Sequence, residues 1–372
     1  IHLDRVVFRP IPDTTVRLAN LQAGDLDIAE RVSPQDLPAI EADPSIRAER
    51  ITGLGYQGIT FNIGNGPASQ TPFGQDPRVR EAFDVVHGQG LCAFSLDVAT
   101  AHICQWAWFE ALRARDGRLA GRDRLFRLFV GRWERALYQP ARARWVIAVS
   151  EKVRAELARY YGREARVAVV RPGVDLARFH PARRLQSRAA VRRALGYAER
   201  DFLLLYVGSL RKGAAEALRA LALLPDAQLL LISGSSARPY WDLARRLDLG
   251  ERVRFLPPTD RIEDYYAASD ALLFPTVYDA HGMVIWEAMA SGLPVITTRA
   301  AGAAEVLTHL EDGLLVDDPR DVRALAECAR RLREDVAWRE AMGQRARARV
   351  EAFSWDRAAR ETLRVYEWAM RA

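Results

Sequence analysis

Two acidic residues in the run YDAHGMVIWEAMASGLPVITT, residues 278–298, have a spacing that suits a ligand-binding site. Asp279 follows the apolar run 271–277, and Glu287 lies eight positions later in a segment of helical composition. This strand–loop–helix pattern predicts that both lie near the carboxyl end of a parallel strand, where α/β proteins bind ligands. Carboxylates there accept hydrogen bonds from sugar hydroxyls, and the backbone amides near Gly282 can hold an anion. The alternative is a solvated loop acid and an ordinary helix acid, and the surrounding pattern favours the ligand site.

A second run, YVGSLRKGAAEALRAL at 206–221, has the features of a phosphate site. The predicted strand ends at Gly208, a helix begins near Gly213, and the loop between them carries Arg211 and Lys212. A phosphate at this point would meet free amides, a helix N-terminus and a positive charge. The Walker A pattern GxxxxGK[ST] is absent. A solvated surface lysine is the alternative, but Lys212 is one of only two lysines in the chain, and we favour the phosphate role.

The elements that would position these residues form an alternating series. Continuous apolar strands separated by helix-length segments predict parallel sheets that are covered on both faces. The series divides near residues 175–195, which predicts an α/β protein with two Rossmann-like lobes and a cleft between them. The strand-like runs are DVVHGQG (84–90), LDVATAHIC (96–104), RWVIAVS (144–150), RVAVVRPGVD (166–175), FLLLYVG (202–208), QLLLISG (228–234), RVRFLPP (252–258), ALLFPTV (271–277), LPVITTRA (293–300) and DGLLVDD (312–318).

The composition narrows the class of protein. The chain has 372 residues, of which 49% are hydrophobic and 27% charged, and these values are typical of a globular protein with two or more domains. No apolar run approaches the roughly 20 residues of a membrane span, and the first residues do not resemble a signal peptide. The net charge of +6 favours a negatively charged partner. The cysteines and the six histidines lack metal-ligand spacing, which predicts buried thiols at Cys92, Cys104 and Cys328 and no metal site.

The segment RLFRLFVGRWERALY, residues 124–138, is predicted to form an amphipathic helix. The favoured interpretation is a helix whose apolar face packs on the core and whose basic side is solvated. The alternative is peripheral contact with a membrane, because aromatic and basic side chains together bind anionic lipid surfaces. The apolar face comprises Phe126, Phe129, Val130, Trp133 and Leu137, and the basic side comprises Arg124, Arg127, Arg132 and Arg135.

From residue 84 onward the chain resembles the family 4 glycosyltransferases of GT-B fold. The resemblance implies a metal-independent, retaining transferase that moves a hexose from a nucleotide-diphosphate sugar to a glycan or lipid-linked acceptor. It implies no cofactor and no nucleic-acid partner, and it implies a place in cell-envelope polysaccharide synthesis, in the cytoplasm or at the inner face of the membrane. The resemblance rests on DVVHGQG, DVATAHIC, WVIAVSEKVRAELARYYG, VAVVRPGVDLARFHP, VGSLRKG, YDAHGMVIWEAMASGLPVITT, AAGAAEVL, EDGLLVDD and FSWDRAARETLRVYEWAM.

The same resemblance implies roles for single residues. Glu287 would hold the nucleotide ribose, Asp279 the hydroxyls of the donor sugar, and Lys212 the diphosphate. His102 would face the donor sugar from the N-terminal lobe, although spacing alone favours an ordinary core or surface histidine. Gly208 ends the strand before the phosphate loop. The backbone of Gly282, Met283 and Val284 would line the sugar-phosphate site.

Two positions depart from the family pattern. The family usually has glutamate where this chain has Asp279, which is one methylene shorter. It often has arginine where this chain has Ser209, and Arg211 is then the cation expected to reach the diphosphate.

Residues 1–83 resemble a different family, the extracellular solute-binding proteins of family 5. The resemblance rests on LDRVVFRPIPDTTVRLANLQAGDLDIAE, GYQGITFNIG and PFGQDPRVREAF. It implies an α+β fragment that stands in place of the opening strands of the first lobe, so that this lobe is incomplete and transfer activity is impaired. A solute-binding component of a peptide transporter and an inert chimera are the competing interpretations. The predicted divisions are 1–83, 84–185 for the rest of the acceptor lobe, 186–352 for the nucleotide-sugar lobe, and 353–372 for a helix that returns to the first lobe.

Overall fold

The computed structural model describes residues 85–90, 96–118 and 121–371, and their strands form two parallel sheets. The predicted division 1–83, its solute-binding pattern and Cys92 lie outside the described residues. The first sheet has the order β1-β2-β3-β4. Its elements are β1 (His87–Gln89), β2 (Leu96–Ala101), α1 (Gln105–Asp116), α2 (Gly121–Leu137), β3 (Ala143–Ala148), α3 (Glu151–Tyr161) and β4 (Val167–Val169).

The second sheet has six parallel strands in the order β10-β9-β8-β5-β6-β7. The helix α4 (Arg183–Ala194) precedes it. The helices and strands that follow α4 along the chain are β5 (Phe202–Val207), α5 (Ala214–Ala222), β6 (Ala227–Ile232), α6 (Arg238–Arg246), β7 (Val253–Leu256), α7 (Ile262–Ala268), β8 (Ala271–Phe274), α8 (Met283–Ala290), β9 (Val295–Thr298), β10 (Leu314–Val316), α9 (Val322–Glu334), α10 (Val336–Val350) and α11 (Trp355–Arg371).

The central strands of the second sheet explain where its ligand edge lies. All four residues of β8 are buried, and so are all residues of β5 except Val207, as expected for strands covered on both faces. The chain leaves β5 toward β6 and later returns to β8 on the other side of β5. This reversal between β5 and β8 opens a crevice at the carboxyl ends of the two strands. Each of the ten predicted strand runs overlaps one of the observed strands, two of which begin one residue before the run, and the α/β fold with two lobes is confirmed.

The final helix packs on the first lobe, although it is the last element of the chain. Val365 and Ala369 of α11 are buried in one apolar cluster with Val98 of β2 and Ile147 of β3. The rings of Trp145 and Trp368 lie 5.0 Å apart. The described part of the first lobe is therefore built from two separate stretches of sequence.

The helix α2 packs against α1 and α3. Val130 and Leu137 are buried, whereas the side chains of Phe129 and Trp133 are 59% and 53% exposed. The favoured prediction of a core-facing apolar side is therefore correct for the first pair and wrong for the second, because no neighbouring element that the structure describes covers that part of the helix. In the described part of the chain, no helix combines the length and apolar character needed to cross a bilayer.

Candidate active site

Two loops meet at the carboxyl ends of β5 and β8. The Val277 amide donates to the carbonyl of Lys212 at 3.0 Å, which ties one loop to the other. Gly213 allows this approach, because a Cβ at that position would lie 2.1 Å from the Pro275 carbonyl oxygen. Its φ of 144° is also unfavourable for other residues. The close contact of the two loops brings the predicted phosphate and sugar residues to one place.

The two charged residues of these loops form an ion pair. The Lys212 amine donates to Asp279 Oδ2 at 2.6 Å, with 33% and 13% of the two side chains exposed. The Asp279 backbone is fixed from the other side, because its amide donates to Ala300 and its carbonyl accepts from Gly302. The lysine thus lies beside the predicted sugar-binding carboxylate, and a bound phosphate would have to share it.

The helix α8 begins at the same edge. Gly282 precedes it with a φ of 95°, a left-handed conformation that favours glycine. The first amides of an α-helix lack intrahelical partners, and the dipole there is positive. Gly282, Met283 and Val284 line the same cleft as Lys212.

These features line one cleft with a volume of about 280 Å³. His102 and Val149 reach it from the first lobe, so the cleft lies between the lobes. Of the nine predicted site residues, all of which the structure describes, seven line the cleft and two do not. The seven are His102, Gly208, Lys212, Asp279, Gly282, Met283 and Val284.

Glu287 lies one turn inside α8. Its carboxylate accepts a hydrogen bond from the Tyr266 hydroxyl at 2.8 Å. Burial raises the pKa of Glu287, while the Tyr266 hydroxyl and Arg178 act in the opposite direction. The carboxylate is therefore held in one orientation beside the cleft.

Arg211 points to the other lobe. Its guanidinium pairs with Asp123 of α2 at 2.6 Å, and its carbonyl accepts a hydrogen bond from Arg115 of α1 at 2.5 Å. The predicted contact of Arg211 with a diphosphate thus requires the Asp123 pair to open. Arg211 thus joins the two lobes.

His281 is a cleft residue that the sequence reasoning missed. It is 6% exposed, and neither ring nitrogen has a hydrogen-bond partner among the residues that the structure describes. Burial lowers the pKa of His281 to about 4, against the opposing effects of Asp279 and the nearby Val149 carbonyl. The ring packs edge-on against Trp286 at 4.4 Å. The signal in the sequence was a histidine directly before the glycine that opens α8.

Further contacts fix the first lobe against the second. Glu305 accepts hydrogen bonds from the Glu151 amide at the start of α3 and from Arg171, at 2.9 and 2.6 Å. The Tyr278 hydroxyl accepts from the Cys104 amide at 3.1 Å and donates to Glu156 at 2.8 Å. Tyr278 directly precedes Asp279, so these contacts place the first lobe over the site. Within the described ranges, no group of three His, Cys, Asp or Glu side chains has the arrangement of a metal site.

Family models match three stretches of the chain. Residues 187–349 match the glycosyl transferases group 1, and residues 49–178 match glycosyltransferase family 4. A D-inositol 3-phosphate glycosyltransferase of Jonesia denitrificans is 30% identical in an alignment of 379 positions, gaps included, that covers 93% of this chain and 87% of that protein. The chain belongs to the glycosyltransferase family. Residues 1–86 of this glycosyltransferase match the middle part of the bacterial extracellular solute-binding proteins of family 5, and that match overlaps the family 4 match.

Other curated relatives match a smaller part of the glycosyltransferase. The D-inositol 3-phosphate glycosyltransferase of Streptomyces avermitilis is 35% identical over 246 residues, which cover 61% of this chain and 52% of that protein. The chain thus spans about half the length of the first of these relatives.

Solved structures share the architecture. Sucrose-phosphate synthase from Thermosynechococcus elongatus has a TM-score of 0.67 at 26% identity, with 78% of this chain and 75% of that chain covered. WaaG, a glycosyltransferase involved in lipopolysaccharide biosynthesis, has a TM-score of 0.64 at 26% identity, with coverage of 77% and 78%. Both likenesses support the GT-B arrangement of the two lobes.

Proposed function

We propose that the protein is a retaining glycosyltransferase that moves a hexose from a nucleotide-diphosphate sugar to a glycan or lipid-linked acceptor. The observation that carries this proposal is the cleft between the lobes, which is lined by both Lys212 and the start of α8 and has a volume of about 280 Å³. His102 faces the same space from the first lobe. The family membership supports the reaction class, and the residues of the cleft support the donor.

The leaving group determines the chemistry of the phosphate end. Cleavage of the bond between the sugar and the diphosphate leaves growing negative charge on the diphosphate. The Lys212 ammonium and the backbone amides of Gly282, Met283 and Val284 are fixed before the reaction and stabilise that charge. We therefore propose a metal-independent reaction, and we expect the rate of transfer to be the same with and without excess EDTA.

The sugar and the nucleoside occupy opposite ends of the cleft in this proposal. Asp279 accepts hydrogen bonds from sugar hydroxyls, and His102 contacts the sugar from the other lobe. Glu287 accepts the two ribose hydroxyls, in an orientation fixed by Tyr266. The family resemblance implies retention, and Asp279 is held in its ion pair with Lys212. We therefore propose that the acceptor hydroxyl attacks the anomeric carbon on the face from which the diphosphate leaves, and that the diphosphate takes up the hydroxyl proton. Proton NMR of the anomeric product tests the stereochemistry.

The helix α2 carries a surface whose residue types suit contact with the headgroup region of a lipid bilayer. We define the α2 surface as the exposed aromatic residues Phe126, Phe129 and Trp133 with the exposed arginines Arg124, Arg132 and Arg135. Exposed aromatic rings beside arginines bind the interface of an anionic membrane. We propose peripheral contact of this surface with a membrane that carries the acceptor.

The proposed divisions of the chain are those predicted from the sequence, with a fusion near residue 83. Transfer depends on the geometry of both lobes, and small misplacements of reacting groups lower a rate about 100-fold. We therefore expect donor binding to be retained and transfer to be slow.

Calorimetry against a panel of UDP-, GDP- and ADP-sugars tests the function. One of these donors should bind, and its free nucleoside diphosphate should compete for the same site. If none of the panel binds to the folded protein, the donor assignment is wrong, and peptide binding becomes the next measurement because of the match at residues 1–86.

A further inference from the structure

A chain of hydrogen bonds leads from the cleft to the last helix. His102 Nε2 lies 2.7 Å from Gln89 Oε1, and Gln89 Nε2 lies 3.4 Å from His87 Nε2. His87 Nε2 also lies 2.7 Å from the Thr100 hydroxyl, and His87 Nδ1 lies 2.7 Å from the Tyr366 hydroxyl of α11. Each neighbouring pair in this chain is one donor and one acceptor.

The orientation of the Gln89 amide assigns the protons. A carbonyl oxygen accepts and cannot donate, so Oε1 of Gln89 requires a proton on His102 Nε2. The Gln89 amino group can only donate, so His87 Nε2 must be unprotonated, and the Thr100 hydroxyl then donates to the same nitrogen. The proton of neutral His87 is therefore on Nδ1 and is donated to Tyr366. These assignments agree with one another along the whole chain.

We propose that Gln89 is a positioning residue that holds His102 as the neutral tautomer protonated on Nε2, with Nδ1 left as an acceptor. This inference rests on the proposed function, since it assigns His102 a definite role toward the donor sugar. An unprotonated Nδ1 accepts a hydrogen bond from a sugar hydroxyl and cannot donate one. The site then selects a sugar by the hydroxyl that it presents to His102.

The surroundings keep both rings neutral. Desolvation of its ring lowers the pKa of His102, although the residue remains exposed at the cleft. Burial lowers the pKa of His87 to about 4, with a further contribution from His102. The charged or titratable groups that share the cleft with His102 are Lys212, Asp279 and His281. Neither histidine is expected to carry a charge at neutral pH, so the tautomer and not the charge defines what His102 offers.

Tyr366 extends the support to the C-terminal helix. Its ring meets that of His87 edge-on at 5.4 Å, and His87 is thereby fixed between β2 and α11. Gln89 and His87 lie two residues apart in β1, so their side chains share one face of the strand. Tyr366 of α11 is thus linked to His102 through the hydrogen bonds of His87 and Gln89.

The direct test is the imidazole tautomer of the intact protein. Histidine labelled with ¹⁵N gives long-range ¹H–¹⁵N spectra in which the two neutral tautomers differ, and a His102→Gln variant identifies the His102 signals among six histidines. At pH 7 we expect His102 to be protonated on Nε2. Protonation of His102 on Nδ1 would overturn the proposal. The Gln89 amide would then be turned over, and donors and acceptors would be exchanged in each hydrogen bond from His102 to Tyr366. This measurement needs no donor, so it is independent of the proposed function.

A variant series then tests the consequence for transfer. Gln89→Leu should lose the single tautomer and lower kcat/KM about 3- to 10-fold, the effect of one lost hydrogen bond. Gln89→Glu keeps an acceptor oxygen and should keep the Nε2 proton, while its negative charge shifts the His102 titration to higher pH. Gln139→Leu is the matched control, because Gln139 is exposed and its side chain donates only to the Arg135 carbonyl among the described contacts. Equal tautomer and kcat/KM values for Gln89→Leu and Gln139→Leu would contradict the positioning role.

Discussion

Replacement of Lys212 by alanine should weaken the binding of a nucleoside diphosphate. Lys212 lines the same cleft as the start of α8, and it is the lysine that the phosphate would meet. A hydrogen bond to a charged group contributes about 1.5–3 kcal/mol. The observed ion pair reduces this value, because Nζ already donates to Asp279 at 2.6 Å.

The expected size follows from that competition. An ion pair with partial exposure contributes about 1 kcal/mol or less, and binding of a phosphate disturbs it. The net loss for Lys212→Ala is therefore about 1–2 kcal/mol, or roughly 5- to 30-fold in Kd. The same reasoning gives the opposite sign for Asp279→Asn. Removal of the carboxylate frees Lys212 and removes a repelling charge, so the free diphosphate should bind about 3- to 5-fold more tightly.

Calorimetric titration with UDP, GDP and ADP at about 0.15 M salt measures these changes, and a repeat at higher salt should reduce them by screening. Lys152→Ala is the matched control, because the Lys152 amine is also ion-paired, to Glu156 at 2.6 Å, and does not line the described cleft. Thermal unfolding of each variant confirms that it is folded. Equal diphosphate affinity in Lys212→Ala and Lys152→Ala would refute the phosphate role. Weaker binding of the free diphosphate to Asp279→Asn would refute the competition between Asp279 and the phosphate.

Three further predictions concern other residues. Glu287→Gln should weaken nucleotide binding with the fold intact, because one acceptor for the ribose hydroxyls is lost, and an unchanged calorimetric Kd would show that the ribose assignment is wrong. Burial raises the pKa of Glu134 to about 7, so the unfolded state ionises first as the pH rises. The stability of the wild type relative to Glu134→Gln should fall by about 3 kcal/mol between pH 4.5 and 7 in denaturant titrations, and a constant difference would contradict this. Phe129→Ser with Trp133→Ser should abolish sedimentation with anionic vesicles, and equal sedimentation of the wild type with neutral vesicles would count against the membrane proposal.

The sequence predicted the strands well because their signal is local. β5 and β8 are uninterrupted apolar runs, and a strand buried on both faces needs nothing else. The positions of Lys212 and Asp279 at the strand ends followed from the same pattern. Their mutual ion pair did not, because it depends on how closely the two loops approach at Gly213.

The parts that could not be predicted depend on contacts between distant segments. Arg211 was expected at the diphosphate, but it pairs with Asp123, which is 88 positions earlier in the chain and on the other lobe. His281 was visible as a residue type, but its burial follows from the packing of Trp286. His87 and Gln89 were present in DVVHGQG, and their common strand face was a usable signal. Their hydrogen-bonded partner Tyr366, which fixes the orientation of His87, is 279 positions away from His87.

The return of α11 to the first lobe also has a consequence for the order in which the protein is made. A chain that emerges from the ribosome presents Val98 and Ile147 long before Val365 and Ala369 exist to cover them. The second lobe is synthesised completely in that interval and has its own apolar core. The first lobe should therefore be the last to reach its final packing, and its exposed sheet face is the surface that a chaperone would meet during translation. An exchange of acceptor lobes between related enzymes should accordingly transfer the C-terminal helix together with β2 and β3.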